Sequence, residues 1–293
     1  MKASISQNTL KMYDVAWQLF LKFTRELEIS PVFPPSLKDV INFISYLSLK
    51  GYASSTIKSY VSAISFKCKM NNVSDTSNCF IIRKMLTGLG RLDRRKDLRM
   101  PITYDLLVKI IHALPNICYS NFESTLFAAL FSLAFFGFMR VCELVQESDV
   151  KVSHALQSEN VKISNTFIEI LLAHSKSDQL GKGVVISLPS TSGIICPVRL
   201  LQSYDKLKPH HMGSYFRHAT GHPVTRYQFT CVLSKALNQA GINSNFYSSH
   251  SFRIGAATSA AMMGWEDEKI AKCGRWTSNI FKSYVRIPTN VFK

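Results

Sequence analysis

The sequence is poor in acidic residues and lacks the signals of several common protein classes. Only 19 Asp and Glu stand against 35 Lys and Arg, which gives a formal net charge of +16 over 293 residues. The seven cysteines are never spaced as CxxC, which argues against a disulfide framework and a zinc site. A GxxxxGK[ST] loop and a carboxylate cluster of the nuclease type are both missing, which argues against a P-loop nucleotide site and a nuclease-type metal site.

Signals for secretion and for membrane insertion are missing as well. The N-terminal stretch has no apolar segment of the kind found in signal peptides. The most apolar uncharged run, 124–139, is shorter than the roughly 18 residues that a membrane span needs. We therefore expect an intracellular protein with reduced cysteines and no membrane partner. The positive charge then favours nucleic acid as the partner.

Hydrophobic periodicity divides the chain into two domains. In residues 1–90, apolar residues recur at helical spacing, Ser36 and Asp39 have the spacing of a capping box, and a fourth, shorter helix is expected at 81–89. Residues 102–293 predict a mixed α/β domain with a small sheet. Its predicted helices are 104–114, 125–139, 197–207, 225–240, 253–263 and 267–273, and its predicted strands are 161–163, 166–174 and 184–188.

A basic segment, residues 91–101, separates the two predicted domains. It ends at Pro101, which cannot continue a helix. Both an inter-domain linker that follows a phosphate backbone and a solvated helix end fit this composition. Its five basic residues are Arg91, Arg94, Arg95, Lys96 and Arg99.

Three segments each place a charged residue at the end of a strongly apolar element. In the first, Arg140 follows the most apolar helix, with Glu143 three residues later. Burying such an arginine is costly unless it meets an anion or a carboxylate. An anion-binding arginine and an internal Arg140–Glu143 ion pair therefore both remain open.

The second segment, His250-Ser-Phe-Arg253, opens a helix of small residues. Histidine and arginine donors at a helix N-terminus suit a phosphate group, although a capped helix with an incidental arginine gives the same pattern. In the third segment, Gly274-Arg275-Trp276 precedes Tyr284. The basic residues Lys282 and Arg286 on either side of this tyrosine could hold DNA close to its hydroxyl.

Taken together and in this order, the three segments resemble the catalytic domain of the tyrosine recombinases, the phage-integrase family. The resemblance is greatest to the crypton-like and DIRS-like mobile elements of eukaryotes, whose catalytic domains carry His-Ser-Phe-Arg-Ile-Gly-Ala and Gly-Arg-Trp with a tyrosine downstream. It implies a mainly α protein with a helical, SAM-like core-binding domain (1–90), a linker (91–101) and a mixed α/β catalytic domain of the DNA breaking-rejoining fold (102–293).

The resemblance also assigns roles to individual residues. Arg140 and Arg253 match the two arginines that stabilise the phosphate oxygens in the transition state, a task for which paired guanidinium groups are well suited. Glu143 matches the acid that supports the first arginine. Tyr284 matches the nucleophile, and His250 matches the residue that shares its proton.

Two further positions carry alternatives. Lys176 in the predicted hairpin turn matches the mobile general acid, with Lys182 in the same turn as its rival. Trp276 matches a position held by His or Trp, where it either donates to a phosphate oxygen or packs the segment of the nucleophile. It precedes Tyr284 by eight residues, where prokaryotic and phage members commonly show nine.

The resemblance implies a site-specific DNA recombinase that acts through a 3′-phosphotyrosine intermediate, without cofactors, in mobile-element integration and excision. Its partner is double-stranded DNA, on which free monomers assemble as a homo-tetramer across two sites, in the nucleus if the source is eukaryotic. A catalytically silent, domesticated DNA-binding protein and a DNA-relaxing, type IB topoisomerase-like enzyme are the alternatives. The one metal-like feature, for which we favour a loop over a metal site, is His210, His211, His218 and His222.

Overall fold

The computed structural model describes residues 5–28, 33–93, 95–147, 155–173, 183–209 and 212–287. The chain divides into two compact units, Met1–Asp97 and Leu98–Lys293, each with its own hydrophobic core. Both units are mainly helical and the second contains a small antiparallel sheet, so the predicted fold class is confirmed. Within the described ranges, the helices are too short or too polar to cross a membrane.

In its described residues, the first unit has four α-helices around an aromatic core. Ser36 and Asp39 form the predicted capping box, in which each residue binds the other's main-chain N–H, at 3.2 and 3.0 Å. Phe20, Phe23 and Phe43 are buried and pack ring against ring at the centre. The helices are α1 (Gln7–Glu26), α2 (Leu37–Leu49), α3 (Ser54–Met70) and α4 (Phe80–Leu92).

The basic segment 91–101 begins as the end of a helix, which is the alternative to an inter-domain linker at this point. Helix α4 extends to Leu92, so Arg91 lies in its last turn. The carboxylate of Asp93 then accepts the main-chain N–H of Ser54 at 2.8 Å and caps α3 from outside that helix. Arg95 donates to the Gly51 carbonyl at 2.8 Å, which holds this part of the segment on the first unit.

The second unit is built around helix α6, which is almost entirely buried, as the sequence predicts. Helices α5, α8 and α10 pack against it, and β1, β2 and β3 form an antiparallel sheet in that order. The elements are α5 (Tyr104–Ile117), α6 (Asn121–Phe136), α7 (Val141–Leu144), β1 (Val161–Ile163), β2 (Phe167–Leu172), β3 (Val184–Pro189), α8 (Pro197–Leu207), α9 (Arg226–Gln239), α10 (Ser251–Met262) and α11 (Asp267–Gly274).

Helix α10 is buried along most of its length because its small side chains admit close neighbours. The main-chain N–H of Ile102 donates to the carbonyl of Ser251 at 3.0 Å. A Cβ atom on Gly255 would lie 1.7 Å from the Ile102 carbonyl oxygen. The glycine is therefore required for this contact, and Arg253, on the same helix, is likewise buried.

The end of α6 forms a tight turn that faces the same interior. The sequence predicts a helix as far as residue 139, but α6 ends at Phe136, and Gly137 is its C-cap. Phe138 has φ 48°, in the left-handed region that residues other than glycine rarely adopt. The turn directs the carbonyl oxygens of Gly137 and Phe138 toward arginine side chains of the candidate site.

Candidate active site

Arg140 and Glu143 form an ion pair at the start of helix α7. Arg140 Nη1 lies 2.9 Å from Glu143 Oε1, and the main-chain N–H of Arg140 donates to Glu143 Oε2 at 2.9 Å. The Glu143 side chain is 4% exposed, whereas that of Arg140 is 22% exposed. The internal pair is thus present, and Arg140 retains a solvent-facing part on which an anion can bind.

The guanidinium of Arg253 is completely buried. Its Nη1 donates to the carbonyl of Phe138 and its Nη2 to that of Gly274 at 2.9 Å, while Nε has no hydrogen-bond partner among the described residues. Burial, helped by the positive charges of Arg140 and Arg275, lowers the pKa of Arg253 to about 10. The sequence suggested a donor open to an anion at a helix start, but the buried α10 instead directs this cation into the core.

Tyr284 lies in a cluster with three other candidate side chains. The centroid of its ring is 5.0 Å from that of His250 and 4.7 Å from that of Trp276. The guanidinium carbon of Arg253 is 5.8 Å from the Tyr284 ring centroid and 4.7 Å from that of Trp276. Residues far apart in the sequence therefore surround one phenol.

Trp276, rather than its neighbour Arg275, packs on Tyr284. Its indole folds back over Gly274, where a Cβ atom would lie 1.7 Å from the ring, so this position requires glycine. The indole Nε1 is buried and has no hydrogen-bond partner within the described ranges. The packing role of Trp276 is therefore observed, and its Nε1 has a donor to offer a phosphate oxygen.

Arg275 belongs to the Gly-Arg-Trp motif, but its role could not be predicted from the motif. It ends α11 in the left-handed conformation, with φ 55°. Its Nη2 lies 2.8 Å from Glu143 Oε2 and 3.1 Å from the carbonyl oxygen of Phe138, and its Nη1 donates to the carbonyl of Gly137 at 3.0 Å. Burial lowers the pKa of Arg275, and the neighbouring Glu143 carboxylate opposes this shift. Nothing local in the sequence indicates these contacts.

The two candidate general acids, Lys176 and Lys182, lie outside the described residues. The flanking strands β2 and β3 pair as predicted, and their last pair is Leu172 with Val184. The connection that carries both lysines therefore joins two adjacent antiparallel strands, which agrees with the expected hairpin.

The candidate DNA-binding residues differ in their exposure and in their contacts. Lys282 pairs with Asp267 at 3.3 Å, and both side chains are exposed. Arg286 Nη1 donates to the main-chain carbonyl of Arg99, which joins the two segments within the second unit. Lys96 is exposed, whereas Arg94 lies outside the described residues.

The histidine stretch is described only in its second half. His218 Nδ1 lies 2.7 Å from Glu123 Oε1, and the main-chain N–H of His218 donates to the carbonyl of His222 at 2.9 Å. His210 and His211 lie outside the described residues. Within the described ranges, no three His, Cys, Asp or Glu side chains are grouped as metal ligands.

Comparison with known proteins agrees with this arrangement. Residues 1–66 match the family model described as phage integrase, N-terminal SAM-like domain. An integrase/recombinase XerD homolog of Selenomonas ruminantium is 27% identical over 274 residues, which cover 89% of this chain and 76% of that protein.

Solved structures share the fold over nearly the whole chain. The XerH site-specific recombinase bound to its difH substrate superposes with a TM-score of 0.65 at 15% identity, covering 98% of this chain and 79% of that one. A lambda integrase dimer bound to a COC′ core site gives 0.64 at 16% identity, with 99% and 92% covered. The Tn1549 transposon integrase in complex with circular intermediate DNA gives 0.57 at 14% identity, with 98% and 92% covered. In sequence and in fold, the chain is therefore similar to the phage integrases, or tyrosine recombinases, and its ordered Arg140, His250–Arg253 and Tyr284 segments agree with this similarity.

Proposed function

We propose that this protein is a site-specific DNA recombinase that cuts and rejoins strands through a covalent bond between Tyr284 and a DNA 3′-phosphate. One observation carries the proposal: the Tyr284 ring lies against His250, Trp276 and the guanidinium of Arg253. A phenol beside an imidazole and a buried cation is suited to attack on an anionic phosphodiester.

The charges around the phenol support the same chemistry. Arg140, Arg253 and Arg275 contribute three guanidinium groups to the cluster, while Glu143 contributes one carboxylate. The cluster therefore keeps a net positive charge, which favours the doubly charged phosphorane-like transition state over the singly charged diester. In this proposal, the partly exposed Arg140 binds the non-bridging oxygens. The buried Arg253, whose guanidinium carbon lies 5.8 Å from the Tyr284 ring centroid, supplies further positive charge.

The reaction balances without an external cofactor. Tyr284 Oη bonds to phosphorus as the P–O5′ bond breaks, and the phenol proton passes to His250. The leaving 5′-oxygen takes a proton from Lys176, or from Lys182 in the same connection. The 5′-hydroxyl of another strand can then attack the phosphotyrosine, which restores the phenol and completes the exchange.

The biological setting is also part of the proposal. The Tn1549 integrase shares the fold and belongs to a transposon, and the His-Ser-Phe-Arg-Ile-Gly-Ala and Gly-Arg-Trp segments resemble crypton-like and DIRS-like elements. We therefore infer a mobile-element recombinase that acts in the nucleus if its source is eukaryotic. Four protomers would assemble on two DNA sites, since each Tyr284 cuts one strand and two duplexes offer four, and the free protein would be monomeric.

A nicked suicide duplex tests the chemistry. Duplexes built from the termini of the element that encodes the chain should yield a covalent protein–DNA adduct in EDTA and without ATP. Tyr284→Phe should abolish the adduct and leave the Kd for the duplex within about threefold, because phosphate contacts dominate such interfaces. Tyr119→Phe, at a tyrosine that is 95% exposed, is the matched control and should form the adduct at the wild-type rate.

Each other outcome counts against the proposal. An adduct formed by Tyr284→Phe would assign the nucleophile elsewhere, and a requirement for Mg²⁺ would contradict the mechanism. Tight binding of the duplex without an adduct from the wild-type protein would favour a domesticated DNA-binding protein. Relaxation of supercoiled plasmid by monomers without strand exchange would favour the topoisomerase alternative.

A further inference from the structure

We propose that Arg275 is a positioning residue that orients Arg140 by binding the carboxylate they share. This inference rests on the proposed function, in which Arg140 binds the phosphate of the DNA. Arg275 and Glu143 meet between two elements: Glu143 lies in the short helix α7, which follows α6, and Arg275 ends α11.

The two oxygens of Glu143 are divided between the two arginines. Oε1 accepts from Arg140 Nη1 at 2.9 Å, and Oε2 accepts from the Arg140 main-chain N–H at 2.9 Å and from Arg275 Nη2 at 2.8 Å. The side chains of Glu143 and Arg275 are 4% and 8% exposed, so water competes little for their contact. A carboxylate that is satisfied on both oxygens holds Arg140 in one orientation and leaves the other donors of that guanidinium for a ligand.

The backbone of Arg275 indicates that its side chain is needed at this position. A residue that ends a helix in the left-handed conformation is usually glycine, and another residue pays about 1 kcal/mol for it. Here the guanidinium compensates through the Glu143 carboxylate and through the carbonyls of Gly137 and Phe138. Those carbonyls belong to the turn that precedes Arg140, so Arg275 fixes that arginine at both its backbone and its side chain.

Arg275 and Trp276 divide two tasks at the end of α11. The indole packs on Tyr284 with the ring centroids 4.7 Å apart, while the preceding guanidinium points to Glu143. Gly274 permits the indole to fold back, and its carbonyl accepts from Arg253 Nη2 at 2.9 Å. The segment 274–276 thereby connects the nucleophile to both candidate catalytic arginines.

The loss of Arg275 should therefore affect Arg140 through Glu143. Without the Arg275 guanidinium, the buried Glu143 carboxylate would be paired with Arg140 alone. It would then compete with the phosphate for the N–H donors of Arg140. By analogy with the supporting partners of metal ligands, whose loss costs about 10- to 100-fold, we expect Arg275→Gly to slow adduct formation by about 10- to 100-fold at saturating duplex. Glycine is chosen because it accepts the left-handed backbone, so the variant removes the side chain without adding strain.

A double-mutant cycle separates positioning from a purely structural role. Single-turnover rates on the nicked suicide duplex, duplex Kd and thermal unfolding would be measured for wild type, Arg275→Gly, Glu143→Gln and the double variant. If Arg275 acts through Glu143, adding Arg275→Gly to Glu143→Gln should cost less than about threefold further, with Kd nearly unchanged. Arg226→Ala, which breaks the exposed Arg226–Glu147 pair, is the matched control and should keep the wild-type rate.

The outcomes are separable from those of the proposed function. A wild-type protein that forms no adduct would overturn the function, whereas Arg275→Gly with the wild-type rate would overturn only this inference. Full, multiplicative rate losses in the double variant would also overturn it. If Arg275→Gly does not fold, Arg275→Lys carries the test: it keeps one charged donor for Glu143, so its rate should lie between wild type and Glu143→Gln, and a rate below Glu143→Gln would contradict the inference.

Discussion

The hydroxyl of Thr258 lies within hydrogen-bonding distance of the main chain at Tyr284 and at Arg286. Thr258 Oγ1 lies 3.3 Å from the carbonyl oxygen of Tyr284 and accepts the main-chain N–H of Arg286 at 3.0 Å. The same hydroxyl lies 2.8 Å from the carbonyl oxygen of Ile254, one turn earlier in α10, to which it can also donate. Because the hydroxyl has one hydrogen, it donates to only one of these two carbonyls at a time. The hydrogen bond from the Arg286 main-chain N–H to the hydroxyl oxygen does not depend on that choice. The helix that carries Arg253 therefore also fixes the candidate nucleophile.

Replacing Thr258 by valine should slow strand cleavage while the shape of the core is retained. The change leaves the Arg286 N–H without its acceptor, which costs about 1–3 kcal/mol in a buried setting. Because about 1.4 kcal/mol corresponds to a tenfold rate change, we expect an adduct rate lower by about 5- to 100-fold, with duplex Kd unchanged. Thr258→Ser keeps the hydroxyl and should retain most of the rate. A valine variant with the wild-type rate would show that this contact does not position Tyr284.

The two candidate catalytic arginines should differ in what a lysine replacement costs. Arg253→Lys should lower the free energy of unfolding by about 2–3 kcal/mol, because one ammonium cannot reach the carbonyls of both Phe138 and Gly274. Arg140→Lys should change stability by less than about 1 kcal/mol, since its side chain is partly exposed, yet slow the adduct by about 100-fold. Chemical denaturation and single-turnover cleavage, measured on both variants, check the contrast. Equal stability losses would contradict it.

Local signals in the sequence predicted the elements well because their causes are local. The capping box of Ser36 and Asp39 lies within four residues, and helix α8 covers the predicted range, starting at Pro197. The ordered motifs contain His250, Arg253 and Trp276, whose side chains lie near the ring of Tyr284. Residue identity and spacing are sufficient to predict a contact where the two residues are close in the chain, or where a family motif contains both of them.

The orientation of the buried cations could not be predicted in this way. Arg253 binds the carbonyl of Phe138, 115 residues away, and Arg275 binds Glu143, 132 residues away. Whether a guanidinium faces solvent or a carbonyl depends on where α6 ends, and that end is set by the left-handed turn at Phe138. The pattern His-x-x-Arg indicates a cation near a helix start, but only the packing of α10 decides that this cation is buried.

Two glycine substitutions should change stability in opposite directions. Gly255→Ala should lower the free energy of unfolding of the second unit by about 3 kcal/mol, because its Cβ would overlap the main chain of Ile102. Gly88→Ala, in α4, meets no atom within 4 Å and should raise the stability of the first unit by about 0.5–1 kcal/mol. Thermal unfolding of the full chain measures both changes. If Gly255→Ala left the free energy of unfolding unchanged, the main chain at Ile102 would be able to move away from α10 at little energetic cost.

The pair of His218 and Glu123 should make stability depend on pH. The hydrogen bond from the histidine to the carboxylate raises the pKa of His218 above its ordinary value. A raised pKa in the folded state means that the contribution is complete below the unfolded value of about 6.5 and is lost as pH rises through the folded value. The melting temperature of the wild type should therefore exceed that of Glu123→Gln most at acidic pH, with the difference shrinking above neutrality. A difference that stays constant with pH would contradict the assignment.

The basic segment between the two units should contribute uniformly to DNA affinity. Arg91, Lys96 and Arg99 have exposed side chains. Arg95 contacts Asp93 and a main-chain carbonyl of the first unit. If the three exposed residues bind phosphates, changing them together to glutamine removes three counterion-releasing contacts and should reduce the slope of log K against log salt by about 2 to 3 units. Affinity should fall by the same factor on the element's termini and on a scrambled duplex, because phosphate contacts carry no sequence information. Titrations at several salt concentrations measure both effects, and an unchanged slope would remove this segment from the interface.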